Sequence, residues 1–147
     1  MTVHLVKLCV GVDTVQELKA WQTERLKQLG RARQNVELCH RTLQTPRRGA
    51  ELLDGGSLYW VIKGFILVRQ RVLELKPDVK DDGTACCAIV LDPELVATRA
   101  QARRAFQGWR YLSVTDAPTD MRVVEAEDEE MPKAMRADLR ELRLIES

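Results

Sequence analysis

The sequence lacks long apolar runs. None of its hydrophobic stretches approaches the ~18 residues that a membrane-spanning helix needs, and charged residues make up 31% of the chain. The opening residues MTVHLVKLCV are also without the longer apolar core and the small-residue cleavage site of a secretory signal. We therefore expect a cytoplasmic protein with no membrane partner.

Motifs of common enzyme classes are missing as well. The chain contains no G-x-S-x-G elbow, HExxH, P-loop or GxGxxG pattern. Of its 2 histidines, His40 directly follows Cys39, and neighbours on a strand point to opposite faces. We predict no catalytic residues, while a pairing of Cys39 with the distant His4, or two carboxylates in one cleft, stays open.

Cysteine pairs of the CxxC kind are absent too. The 4 cysteines are Cys9, Cys39, Cys86 and Cys87, and the last two are adjacent, which makes it hard for them to share one ion. A structural zinc site needs four convergent ligands, usually in two short-spaced pairs. We therefore expect buried free thiols, no metal and no other cofactor.

The charge of the chain is balanced in total but segregated along its length. Its 147 residues suit one domain. Residues 1–111 hold 18 Lys and Arg against 12 Asp and Glu, whereas residues 112–147 hold 5 against 10. The basic part is rich in arginine, whose planar fork suits phosphates and base edges. A pI near 7.7 argues against an obligate nucleic-acid coat protein.

Hydrophobic patterning and turn signals predict a mixture of helices and strands. Thr14 and Glu17 form a capping box, followed by an apolar stripe (Val15, Leu18, Trp21, Leu26 and Leu29) that Gly30 ends. Further predicted helices are a short one from Pro46 to Gly55 and a C-terminal one over 132–145. Predicted strands cover 3–12, 35–43, 85–91 and the end of 104–114; residues 77–83 are a predicted loop, and 94–102 a turn or short helix.

The most apolar segment, residues 58–75, favours a β-hairpin. Its β-branched and aromatic residues are typical of strands, and Lys63-Gly64 can form a two-residue turn. The spacing also permits a helix, which stays open. In the strand, Arg69 and Arg71 would share a face with apolar residues and either line a groove or pair with acids, for which the candidates are Glu74, Asp92 and Glu94.

These elements predict an α+β fold with a mostly antiparallel sheet or a partly open β-barrel and peripheral helices. We expect one core domain over residues 1–115, an acidic linker over 116–131, and a C-terminal helix over 132–147 that packs on the core. The acid run at 125–130 either favours the start of that helix or forms a mobile arm that competes for the basic face.

One short segment concentrates arginines, aromatic rings and a glycine. It reads RRAFQGWRYL from Arg103 to Leu112 and contains no acid. Aromatic rings offer faces for base stacking, and arginines contact phosphates or base edges. Alternatively, Phe106 and Trp109 plug one end of the barrel, and the arginines are solvated or paired with carboxylates.

We therefore predict a non-catalytic module that binds RNA, DNA or a modified base through an arginine and aromatic surface. The candidate binding residues are Lys63, Arg69, Arg71, Arg103, Arg104, Trp109, Arg110 and Tyr111. Two other functions stay open: a protein-interaction or structural module, and a small enzyme for a nucleotide-like or phosphorylated substrate. A cleft with Asp92 or Glu94 beside Arg104 would favour the enzyme, and the oligomeric state is left open.

Four segments in order resemble a bacterial family of unknown function, domain-of-unknown-function family 1489. They read HLVKLCVGVD at 4–13, ELLDGGSLYWVIKGFILVRQRVLEL at 51–75, IVLDPELV at 89–96 and RRAFQGWRYL at 103–112. The resemblance spans residues 3–142 and implies a mainly alphaproteobacterial origin, but no activity.

In the order of its elements the chain is also similar to PUA-like folds, such as ASCH and EVE domains. The matching features are a strand-turn-strand with YWVIKG, a buried strand ending in LDP, and a late aromatic Gly-x-Arg segment. This similarity implies a small barrel that binds RNA or modified bases, and no site residue is taken from it.

Overall fold

The computed structural model describes residues 1–33 and 36–121. The predicted C-terminal helix and the acid run lie outside these residues. The described elements are β1 (Val3–Leu8), α1 (Val15–Arg31), β2 (Leu38–Thr42), α2 (Gly49–Leu53), β3 (Ser57–Ile62), β4 (Phe65–Val79), β5 (Ala85–Leu91), β6 (Val96–Ala102) and β7 (Trp109–Ser113).

The strands of the described residues form one seven-stranded sheet in the order β2-β5-β4-β3-β1-β7, with β6 paired to β4. Among the described strands, only β1 and β3 run parallel, since the other pairs are antiparallel. This architecture confirms an α+β fold with a mostly antiparallel sheet. Within residues 1–33 and 36–121, the sheet is not closed into a barrel.

The long strand β4 bends the sheet. Its first half pairs with β3 and β6, and its second half pairs with β5, with register shifts near Leu67 and Leu73. His40 on β2 lies three strands from Trp60 on β3, about 14 Å in a flat sheet, yet their ring centroids are 5.1 Å apart. The end of the sheet with β5 and β2 therefore folds back over β3.

The two faces of the sheet bury different clusters. The first face carries Leu5, Leu58, Trp60 and Val72, which pack with α1, α2, β2 and β5 in the main core. The second face carries a smaller cluster of Val6, Tyr59, Val61, Ile66 and Leu112. Strand alternation sends neighbouring residues to opposite faces, and this alternation decides where each candidate site residue lies.

Helix α1 begins where the capping box predicts. The Thr14 side chain accepts a hydrogen bond from the Glu17 amide at 3.1 Å, and the helix buries Val15, Leu18 and Leu29. The predicted apolar stripe is wrong at Trp21, whose side chain is 61% exposed. Gln22 is buried in its place, because it meets a polar partner in the sheet.

The predicted hairpin is confirmed, and the alternative helix over 58–76 is wrong. Lys63 and Gly64 both have positive φ angles, +50° and +84°, as a tight two-residue turn requires. The prediction of a turn or helix over 94–102 is also wrong, because residues 96–102 pair with β4 as β6. Tertiary pairing here overrides the weak strand preference of VATRAQA.

Other predicted bounds also shift. Strand β1 ends at Leu8 instead of 12, because the chain turns at Gly11, with φ +81°. Strand β4 runs through Pro77 to Val79, where a loop was predicted. The proline is tolerated because this half of β4 pairs with β5 alone within the described residues.

Candidate nucleic-acid interface

Strand β7 lies at an end of the sheet, with β1 as its neighbour in the described part of the chain. Gly108, with φ +68°, turns the preceding loop into it. Alternation along β7 separates the predicted residues, because Trp109 and Tyr111 pack with the main core whereas Arg110 lies on the other side. The segment 103–111 therefore forms two surfaces, one on each side of an edge strand.

On the first side, the two rings of β7 meet the loop before α2. Trp109 and Tyr111 pack edge to face with centroids 4.9 Å apart, and the Trp109 Nε1 donates to the Gln44 carbonyl at 3.1 Å. The Arg48 amide donates to the Tyr111 hydroxyl at 3.0 Å, and its guanidinium lies 5.4 Å from the ring centroid.

These two rings line an open cavity of about 430 Å³ together with Gln44, Thr45 and Arg47. Arg47 is exposed and makes no ion pair within the described residues. Sequence reasoning missed Arg47 and Arg48 as site residues, because no local pattern links this loop to β7. Their only signal was the dipeptide Arg47-Arg48 in an otherwise turn-like segment.

On the second side, two arginines share one aromatic ring. The guanidinium carbons of Arg103 and Arg110 lie 5.8 Å and 5.3 Å from the Phe106 ring centroid, within cation-π range. The Arg103 amide donates to the Gly64 carbonyl at 2.8 Å, which brings the Lys63 turn to the same place. We call Lys63, Arg103, Phe106 and Arg110 the Phe106 cluster; Arg104 follows Arg103 in the chain and is exposed.

The cations of the Phe106 cluster have no carboxylate partner among the described residues. Arg110 donates from Nη1 to the Gln107 and Trp109 carbonyls at 2.9 Å and 3.1 Å, which fixes its guanidinium without neutralising it. Elsewhere the arginines and lysines are often paired, as in the ion pairs of Arg41, Arg48, Arg69 and Lys76. Like charges held on one ring favour an anion between them.

Arg69 lies apart from this cluster and is neutralised. It shares the second face with Arg110, but β1 and β3 lie between them, a separation of about 14 Å. Its Nε and Nη2 donate to the two Asp120 carboxylate oxygens at 2.7 Å and 2.6 Å. The alternative that Arg69 pairs with an acid is therefore confirmed, but its partner is Asp120 and not one of the candidates Glu74, Asp92 and Glu94.

Arg71 is exposed and lines a polar cavity of about 380 Å³ with Arg69, Asp92 and Glu94. Arg104 does not line this cavity. The arrangement that would have favoured a small enzyme, an acid beside Arg104 in one cleft, is therefore not formed there.

The histidines have separate environments. His4 is buried on the second face, where its Nδ1 accepts from the Ser57 amide at 3.0 Å. Burial and the nearby Arg69 lower its pKa. Cys39 lies on β2, where burial and the acidic neighbour Glu37 raise the pKa of its thiol. These surroundings share no residue, so the Cys39–His4 pairing is not formed.

The four cysteines form no disulfide. Cys86 and Cys87 are buried as predicted, whereas Cys39 is exposed and Cys9 is half-buried. No helix in the described ranges is long and apolar enough to cross a bilayer. Across those same residues, no three or more His, Cys, Asp or Glu side chains come together as a metal site.

The comparisons with known proteins identify a family. No curated protein and no solved structure is similar enough to the chain to count as a match. A family model described as "Protein of unknown function (DUF1489)" matches residues 5–145, which confirms the resemblance found in the four sequence segments. The chain therefore belongs to the DUF1489 family.

Proposed function

We propose that this protein binds nucleic acid around edge strand β7 without catalysing a reaction, with single-stranded RNA or a modified base in the cytoplasm as the ligand. The observation that carries the proposal is the arrangement around one strand of five residues. One side of that strand offers two aromatic rings beside a cavity, and the other offers cations without carboxylate partners.

The Phe106 cluster is suited to phosphate. The two guanidinium groups next to the Phe106 ring bring two positive charges together, and a nearby anion lowers their mutual repulsion. Arginine binds phosphate oxygens through two parallel hydrogen bonds, and the Arg110 donors not used by carbonyls stay available for this contact. Lys63 lies in the turn that contacts the Arg103 backbone, and Arg104 follows Arg103 in the chain, so both add positive charge close to this cluster.

The cavity beside Trp109 and Tyr111 is suited to a base. An aromatic ring stacks on any base, because every base has a π-face, and exposed Arg47 lies in the wall to meet a base edge or a phosphate. A base enters such a cavity only when it is free of its duplex partner, which favours single strands, loops and flipped bases.

The similarity to PUA-like folds supports RNA or a modified base as the ligand through element order alone. A relationship of the fold to PUA-like barrels is part of the same proposal. Arg69 and Arg71 were among the predicted contacts but contribute less to the proposed binding. Asp120 neutralises Arg69. Arg71 lies on the same strand as Arg69 and is about as far from β7 as Arg69 is.

The test is a titration of labelled single- and double-stranded RNA and DNA oligonucleotides at low salt, followed by fluorescence anisotropy. Replacing Trp109→Leu keeps an apolar side chain but removes the stacking face. We expect binding to weaken about 5- to 150-fold, the equivalent of about 1–3 kcal/mol per stacked base. Trp21→Leu is the matched control, because that indole lies on exposed α1.

Three results would contradict the proposal. One is no binding of any oligonucleotide at low salt, which would favour a protein-interaction module. Another is equal binding by wild type and a folded Trp109→Leu variant. The third is turnover of a bound nucleotide, which would favour the small enzyme.

A further inference from the structure

A third cavity, of about 350 Å³, lies on the first face of the sheet between α1, the end of β1 and strand β2. It arises because the sheet bends: His40 on β2 is carried over Trp60, and α1 covers the space from above. Its volume is within the range of small-molecule pockets. It shares no residue with the surface proposed to bind nucleic acid.

The walls of this cavity are mostly apolar. Leu18 from α1, Leu38 from β2 and the Trp60 ring form them. The polar ends of two lining residues are already used: the Trp60 Nε1 donates to Gln70 at 2.8 Å, and Gln22 exchanges hydrogen bonds with the same amide. A ligand body that contacts these walls should therefore be aromatic or branched aliphatic.

Two residues that line the cavity carry polar groups without a protein partner among the described residues. The His40 Nε2 is buried and makes no hydrogen bond, the one such side-chain nitrogen or oxygen in the described residues. Lys7 lies half-buried in the wall, and no described carboxylate forms an ion pair with it. Burial lowers the pKa of the Lys7 ammonium. An unpaired buried polar atom is costly, and so is a half-buried charge without a partner.

His40 is neutral at physiological pH. Burial and the Lys7 charge lower its pKa to about 4. A neutral imidazole carries one N–H, which it can present at Nε2. The cavity therefore combines one positive charge and a neutral imidazole with an apolar surround.

We propose that this cavity binds a small organic monocarboxylate with an aromatic or branched aliphatic body. The carboxylate pairs with the Lys7 ammonium beside the His40 imidazole, and the body packs on Trp60 and the two leucines. Binding is not covalent, because burial raises the pKa of the neighbouring Cys9 thiol to about 11, and a protonated thiol is a weak nucleophile.

Phenylacetate and its neutral analogue phenylacetamide test the proposal on the full wild-type chain. We expect phenylacetate to move the backbone ¹H–¹⁵N signals of Lys7 and His40 in a saturable way and to leave those of β6 in place. Phenylacetamide should bind about tenfold or more weakly, since it lacks the charge. Equal binding of the two probes, or no shift at millimolar phenylacetate, would overturn the proposal.

Two variants locate the charge that is responsible. Lys7→Met keeps the length of the side chain and should weaken phenylacetate binding about tenfold or more, whereas Lys27→Met on the exposed side of α1 should not change it. Unchanged binding in a folded Lys7→Met variant would overturn the proposal. If that variant fails to fold, the comparison of the two probes on wild type still decides.

Discussion

The buried amide of Gln70 offers a quantitative test of how α1 is held on the sheet. Gln70 has no exposed surface. Its Oε1 accepts from the Trp60 Nε1 at 2.8 Å and from the Gln22 Nε2 at 2.9 Å. Its Nε2 donates to the Gln22 Oε1 at 2.9 Å and to the Asp92 carbonyl at 3.0 Å. The network thus joins the helix, two strands and the chain after β5.

Replacing Gln70→Leu leaves the Trp60 N–H, the Gln22 amide and the Asp92 carbonyl without this partner. Each buried unsatisfied group costs about 1–3 kcal/mol, so we expect the loss of these three partners to lower the free energy of unfolding by about 3 kcal/mol or more. Gln22→Leu leaves a single Gln70 N–H unpaired and should cost about 1–2 kcal/mol. The double variant should cost less than the sum of the two, by about 1 kcal/mol or more, because it removes both partners of the amide pair.

Urea denaturation of the three variants, followed by far-UV circular dichroism, measures these differences. The slope of the unfolding free energy against urea concentration should be the same for all variants, so that differences in the urea midpoints report differences in stability. Gln16→Leu on exposed α1 is the matched control and should change stability by less than about 0.5 kcal/mol. A Gln70→Leu variant as stable as wild type, or strictly additive costs, would refute the reasoning.

Two further predictions follow from the pKa of His40 and the turn at Lys63. Because the folded-state pKa of His40 is about 4 against 6.5 in the unfolded chain, the unfolded chain binds the proton first as pH falls. The free energy of unfolding should therefore drop as the pH falls from 6.5 towards 4, by about 2 kcal/mol at pH 5. In a His40→Phe variant, the urea midpoints should lack this contribution to the pH dependence. A pH profile identical to that of the wild type would contradict the prediction. Residue 63 has a left-handed φ of +50°, which asparagine adopts more easily than lysine. Lys63→Asn should therefore raise the free energy of unfolding by about 0.5 kcal/mol and weaken oligonucleotide binding. A lower thermal midpoint in this variant would contradict the prediction.

Local signals in the sequence were enough to predict much of the fold. The capping box at Thr14, the turn at Lys63-Gly64 and the buried strand over 85–91 each depend on neighbours within a few residues, so the chain itself carries the pattern. The α+β class and the mostly antiparallel sheet follow from these elements. Strand β6 was missed because its residues have little strand preference, and it forms only where β4 offers an edge.

The candidate site was less predictable, because its geometry depends on distant contacts. Trp109 and the Gln44 carbonyl are 65 residues apart, and Arg69 and Asp120 are 51 residues apart. Composition alone could gather arginines and aromatic rings as candidates. It could not separate the neutralised Arg69 from the unpaired Arg103 and Arg110, since that distinction depends on which acid the fold brings near.

The most direct test of the nucleic-acid proposal is the salt dependence of binding by the Phe106 cluster. Each phosphate contact to a single strand contributes about 0.7 to the slope of log Kd against log salt. Removing two contacts with Arg103→Gln/Arg110→Gln should therefore lower that slope by about 1.4. The control Arg25→Gln/Lys27→Gln makes the same change in net charge on exposed α1 and should leave the slope unchanged. An equal fall in both variants, or in neither, would contradict a phosphate site beside β7.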